Sequence, residues 1–159
     1  ELFANEDPDE VLAVYRRYQT EHSNGAYKLY PGIAELLGGL KRCGYSLSIV
    51  TSRLRHTAMQ YIGEMGIKDK FDVIITADDV IEHKPEPGPL IEALRQLGAK
   101  REEAIMLGDT RFDIGCCINA GVDNILVCWG RRGGNVPLGG IEPMYRINKP
   151  EELFDIIEG

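Results

Sequence analysis

The stretch EAIMLGDTRFDIGCCINAG, residues 103–121, decides how the rest of the chain is read. Residues 104–107 form a short apolar run of the length a buried parallel strand needs. The run ends at Gly108-Asp109-Thr110, and residues 112–120 then read as a helix stopped by Gly121. Asp109 and Asp113 therefore stand four residues apart across a strand-to-helix turn. In an open α/β sheet this carboxyl end of the strands is where ligands bind. Oxygen ligands on a loop, with room left for water and phosphate oxygens, suit Mg²⁺. The competing reading is an Asp helix cap followed by a solvated helix Asp, because Asp and Thr are both favoured before a helix. What separates the two lies upstream.

The bulk properties narrow the field. A chain of 159 residues holds one compact domain with room for a small subdomain. Its 43% hydrophobic and 27% charged content is that of an ordinary globular protein. A net charge of −7 supplies no basic face for a phosphate backbone, which argues against a nucleic-acid partner. No apolar run approaches the roughly 20 residues that span a bilayer, so no membrane role is expected. Cys43, Cys116, Cys117 and Cys128 lie in apolar segments without C-x-x-C spacing. They read as reduced core residues of a cytoplasmic protein.

Upstream, Asp7-Pro8-Asp9-Glu10 opens a helix to about residue 22, stopped by Ser23-Asn24-Gly25. Tyr30-Pro31-Gly32 opens a second, ending near Gly44. Strands and helices then alternate. Residues 45–50 are a strand that finishes at Thr51-Ser52-Arg53, and residues 54–65 a helix. Residues 71–76 are a strand, with Asp78-Asp79 and His83-Lys84-Pro85 in the loops behind it. A helix runs to Leu97, and residues 124–129 form a further strand. Residues 130–140 are a glycine-rich loop, Ile147 ends a short extended piece, and residues 150–158 are a terminal helix. This alternation means βαβ units and a parallel sheet. Parallel strands bring Thr51-Ser52, Asp78-Asp79 and Asp109-Thr110 to one edge, with Lys84 in reach. A hydroxyl, a cation and carboxylates are the equipment of phosphoryl transfer. Singly each has a plainer explanation, as a helix cap or a solvated surface charge; the coincidence of three loops carries the weight.

SIVTSR, HKPEPGP and MLGDTRFDI, in that order, resemble motifs II, III and IV of the haloacid dehalogenase superfamily of phosphatases. The resemblance runs from about residue 30 to 158. The YPGI, TADDV and NAGV…WG stretches are similar to its phosphoglycolate phosphatase and pyrophosphatase branch. It implies a Rossmann-like α/β core over residues 30–159 and the end of a helical cap domain over residues 1–29. It further implies a Mg²⁺-dependent phosphatase of a small phosphate monoester such as phosphoglycolate, acting through an aspartyl phosphate. Thr51 would hydrogen-bond the transferring phosphoryl group, and Lys84 would neutralise the nucleophile and phosphate. Asp109 would ligate Mg²⁺, with Asp113 as the second acid, holding the metal's water or Lys84. Ser52 and Arg53 would touch the substrate.

The sequence departs from the family at one point. The first motif, an apolar strand ending in Asp-x-Asp-x-Thr with the nucleophile, is not found in it. Asp7-Pro8-Asp9 does not replace it, because that segment opens a helix. The expectation is therefore an N-terminally incomplete part of a longer phosphatase, with a strand seated between those at residues 45–50 and 104–107. Direct pairing of these two strands would refute that. Alternatives are a β-phosphoglucomutase-type phosphotransferase, or a non-catalytic phosphate-binding domain of the same fold.

Overall fold

The structure, a computed structural model, describes residues 7, 10, 11, 13, 14, 17, 18, 27–130 and 136–158. Glu10, Val11, Ala13, Val14, Arg17 and Tyr18 are helical, and the Val11 amide donates to the Asp7 carbonyl at 3.0 Å. The expected helix start is thus present. Its expected stop at Ser23-Asn24-Gly25, and residues 131–135 of the glycine-rich loop, lie outside the described residues.

From there the elements are α1 (Ile33–Arg42), β1 (Ser48–Val50), α2 (Arg55–Glu64), β2 (Val73–Ile75), α3 (Gly88–Leu97), β3 (Ile105–Gly108), α4 (Arg111–Ala120), β4 (Asp123–Val127), β5 (Tyr145–Ile147) and α5 (Glu152–Ile157). Two strands begin later than the sequence suggests, because the preceding helix uses their first residues. The Tyr45 amide bonds back to the Leu40 carbonyl and so finishes α1, behind Gly44 at φ 86°. Phe71 likewise closes the single 3₁₀ turn Lys68–Lys70, its amide on the Lys68 carbonyl.

All strand pairs are parallel, and they form two sheets. One is β1-β2, with Ile49 opposite Ile74; the other is β3-β4-β5, with Leu107 opposite Ile125 and Leu126 opposite Arg146. Among the described residues no backbone hydrogen bond joins β1 to β3. The direct pairing that would refute an intervening strand is therefore absent. Side chains connect the sheets instead. On one face Leu90, Leu94, Cys116, Cys117, Ala120 and Val122 cluster, with Val50 and Met106 packed against them. On the other, Leu36, Leu40 and Leu153 from α1 and α5 meet Ile125 and Ile147, with Leu47 and Leu107 alongside. Helices thus cover both faces, as expected for a doubly wound sheet.

Cys116 and Cys117 sit wholly inside the first cluster, and burial pushes both thiols up, Cys117 to about 12. Cys43 corrects the expectation of four core cysteines: it caps the end of α1 and is exposed, while Cys128 is half-buried. Iodoacetamide at mildly alkaline pH should therefore alkylate Cys43 quickly, Cys128 slowly, and Cys116 and Cys117 only after denaturation. Counting adducts by intact mass before and after unfolding checks this.

Candidate active site

The turn between β3 and α4 resolves the two roles open to its carboxylates. Thr110, not Asp109, is the N-cap of α4. Its hydroxyl accepts from the Asp113 amide at 3.2 Å, while Asp113 Oδ2 accepts from the Thr110 amide at 3.0 Å and hydroxyl at 2.6 Å. This reciprocal capping box fixes Asp113 on the first turn of the helix. Asp109 is left free: it is exposed, and no hydrogen bond or ion pair engages it among the described residues. Gly108 makes the turn possible, because a Cβ there would collide with the Asp113 Cβ.

Lys84 comes from the loop behind β2 and reaches across. Its Nζ donates to Asp113 Oδ1 at 2.6 Å and to the Val50 carbonyl at 3.0 Å. The two side chains are only 11% and 9% exposed, so this ion pair sits in low dielectric and is screened little by solvent. The Thr51 amide and the Leu47 carbonyl both pair with β2. Alternate residues of a strand point their backbone groups to opposite edges, so the Val50 carbonyl faces the open edge toward β3. Lys84 thus ties the end of β1 to the first turn of α4, the helix that follows β3. An ammonium has three donors, and two are engaged here. The third has no partner among the described residues.

Thr51 follows Val50 directly. Its Oγ1 accepts from the Arg53 amide at 3.2 Å, and among the described residues no acceptor engages the hydroxyl proton. Leu54, not Thr51, is the N-cap of α2, so the helix-cap explanation of Thr51 does not hold. Ser52 and Arg53 are exposed on the same loop. The Arg53 guanidinium lies 4.9 Å over the ring of Tyr61, which also stands 4.0 Å from the Tyr27 ring, centroid to centroid.

The structure gives Asp78 and Asp79 to other work than the sequence suggested. Asp78 Oδ2 accepts from the Arg55 amide at 2.6 Å, and Asp79 pairs with the Arg55 guanidinium at 2.7 Å. Burial pushes the Asp79 carboxyl up, but hydrogen bonds from Arg55 and Thr76 outweigh it and hold it below the ordinary value. Tyr30 and Gly130 were not singled out in the sequence. A Cβ on Gly130 would stand 3.8 Å from Asp109 Oδ2 and 3.9 Å from the Tyr30 hydroxyl, so Gly130 borders both residues. Tyr30 also lines an open cleft of about 460 Å³ with Trp129 and Lys149. No sequence periodicity marks a residue brought in from a distant loop.

Could these residues hold a metal? Among those described, no three His, Cys, Asp or Glu side chains gather as a metal cage. Asp113 has both oxygens committed, so of the two expected acids only Asp109 offers an open carboxylate. Mg²⁺ commonly takes one or two carboxylates and fills the rest of its octahedron with water and phosphate oxygens. The donor set fits such an ion and does not suit a zinc or structural calcium site.

The model of the haloacid dehalogenase-like hydrolases matches residues 1–127. The chain belongs to this family. Among relatives of this hydrolase chain, pyrophosphatase PpaX of Halalkalibacterium halodurans is 37% identical over 158 residues, covering 98% of the chain and 73% of the relative. A solved haloacid dehalogenase-like family protein of Streptococcus pneumoniae superposes with a TM-score of 0.83 at 26% identity, over 97% of this chain and 71% of that one. A phosphatase of the family from Thermococcus onnurineus gives 0.73 at 32% identity. That match covers 82% of this hydrolase and 59% of the Thermococcus protein. No helix among the described residues is long and apolar enough to cross a membrane.

Proposed function

We propose that the natural protein is a Mg²⁺-dependent phosphatase of a small phosphorylated substrate, either a monoester such as phosphoglycolate or the anhydride pyrophosphate. The observation that carries this reading is the ammonium of Lys84, held between Asp113 and the end of β1 with two of its three donors engaged. Thr51 would donate its free hydroxyl proton to a phosphoryl oxygen, and Lys84 would stabilise the charge that develops there. Asp113 would hold Lys84 in place without touching substrate. Asp109 would ligate Mg²⁺, which when bound supplies Lewis-acid stabilisation of the phosphoryl group. Ser52 and Arg53 would contact the substrate from the Thr51 loop. The nucleophile of an aspartyl-phosphate route would stand on a strand seated between β1 and β3, which none of the described residues supplies. That β1 and β3 each stand at the edge of a sheet, with no strand paired between them among the described residues, supports that placement. In this reading residues 1–29 end a helical cap, residues 30–159 form the core, and the free thiols suit a reducing cytoplasm.

The test is hydrolysis of p-nitrophenyl phosphate, phosphoglycolate and pyrophosphate by the protein expressed from its complete coding sequence. Turnover of at least one is expected, lost on chelation and restored by Mg²⁺. Turnover indifferent to chelation would overturn the metal's role, and no turnover of any would overturn the phosphatase reading.

A further inference from the structure

We propose that Asp78 and Asp79 are positioning residues that aim the hydroxyl of Thr51 by fastening the β1–α2 loop to the turn behind β2. The inference rests on the phosphatase reading of Thr51, and its evidence is a chain of contacts. Asp79 Oδ2 accepts from both the amide and the hydroxyl of Thr76, at 2.8 and 2.6 Å, which closes the single turn Ala77–Asp79. That turn presents the Ala77 amide to the Arg53 carbonyl at 2.9 Å. The Arg53 amide in turn donates to Thr51 Oγ1 at 3.2 Å and so sets where the Thr51 proton can go. Asp78 fixes the far end of the same loop. The N-cap of α2, Leu54, has no side chain that can cap, and Asp78 supplies the missing acceptor from another loop, 2.6 Å from the Arg55 amide. A carboxylate at a helix N-terminus also suits the local dipole. The Arg55 guanidinium then closes the clasp on Asp79.

Two carboxylates placed beside a phosphate-binding loop would repel the substrate if they were free. Here both are turned to backbone amides and to Arg55, so they stiffen the loop. The cost of losing them should appear in substrate binding through Thr51, not in the chemistry at large.

The experiment uses the protein from its complete coding sequence, with p-nitrophenyl phosphate as substrate and inorganic phosphate as competitive inhibitor. Asp78→Ala should lower kcat/KM about tenfold, the size of one lost cap, mostly through KM, with the Ki of phosphate rising in step. Asp78→Asn keeps an acceptor for the Arg55 amide and should restore most of the loss. In a Thr51→Ala background, Asp78→Ala should add almost nothing. An equal loss with and without Thr51, or a fall in kcat alone, overturns the proposal. Should Asp78→Ala not fold, Asp79→Asn weakens the clasp while keeping its shape and is put through the same cycle. If the unmutated protein turns over neither a phosphate ester nor pyrophosphate, the phosphatase reading fails. Should it turn over and the variants match it, only the positioning role fails.

Discussion

Replacing Lys84 with Met should lower kcat/KM on p-nitrophenyl phosphate by about a thousandfold, the scale of losing one preorganised charge stabiliser. It should also destabilise the fold by about 3 kcal/mol, because the substitution leaves the Asp113 carboxylate buried without its cation. The two losses have different causes and can be separated. Asp113→Asn in the same molecule removes the stranded charge, so the double variant should recover most of the stability and none of the activity. Urea unfolding and steady-state kinetics on the three variants read both quantities. Recovery of activity in the double variant would mean that Lys84 acts only as a structural counter-ion. An unchanged stability in Lys84→Met would mean that the ion pair is solvated, contrary to its 9–11% exposure.

Gly108→Ala should be nearly as damaging, although it alters no charge and no hydrogen-bonding group. The added methyl would fall on the Asp113 Cβ, and its next contacts are the carboxyl carbon at 2.8 Å and Oδ2 at 3.1 Å. Neither neighbour is the free end of a flexible chain: Asp113 is held by Thr110 on one oxygen and Lys84 on the other. Overpacking of this kind costs about 3 kcal/mol. For a chain of 159 residues that corresponds to a fall of roughly 6–12 °C in Tm. The displaced carboxylate should release Lys84, so activity should fall as well. Calorimetry beside kinetics checks the pairing of the two effects. A Tm within a degree of the unmutated protein would show that the turn yields without strain.

These two residues also mark what the sequence could tell. Asp109, Asp113, Lys84 and Thr51 could be grouped from the sequence as a candidate site, because each follows a strand and parallel strands present those ends together. Their division of labour was not. The i, i+4 spacing of Asp109 and Asp113 fits two metal ligands as well as one ligand and one counter-ion. The proposed assignment of Asp113 as counter-ion rests on Lys84, 29 residues away, and on Thr110 taking the cap. Asp78 and Asp79 read as further acids of the site because their partner, Arg55, lies more than twenty residues upstream, at the start of α2. The fold class followed from the alternation of strands and helices. The strand starts did not, since Tyr45 and Phe71 have strand-like side chains but spend their amides on finishing the preceding helical turns.

The seam between β1 and β3 has a thermodynamic consequence. A strand bound there would pair with backbone on both sides and add its binding free energy to the stability of everything packed around it. Substrate chemistry and conformational stability would then draw on one equilibrium. Left vacant, the same seam is a pair of unprotected edges with the hydrogen-bonding appetite that drives edge-to-edge aggregation. Lys84, donating to the Val50 carbonyl, already blunts one of those edges at the end where the chemistry is proposed to occur.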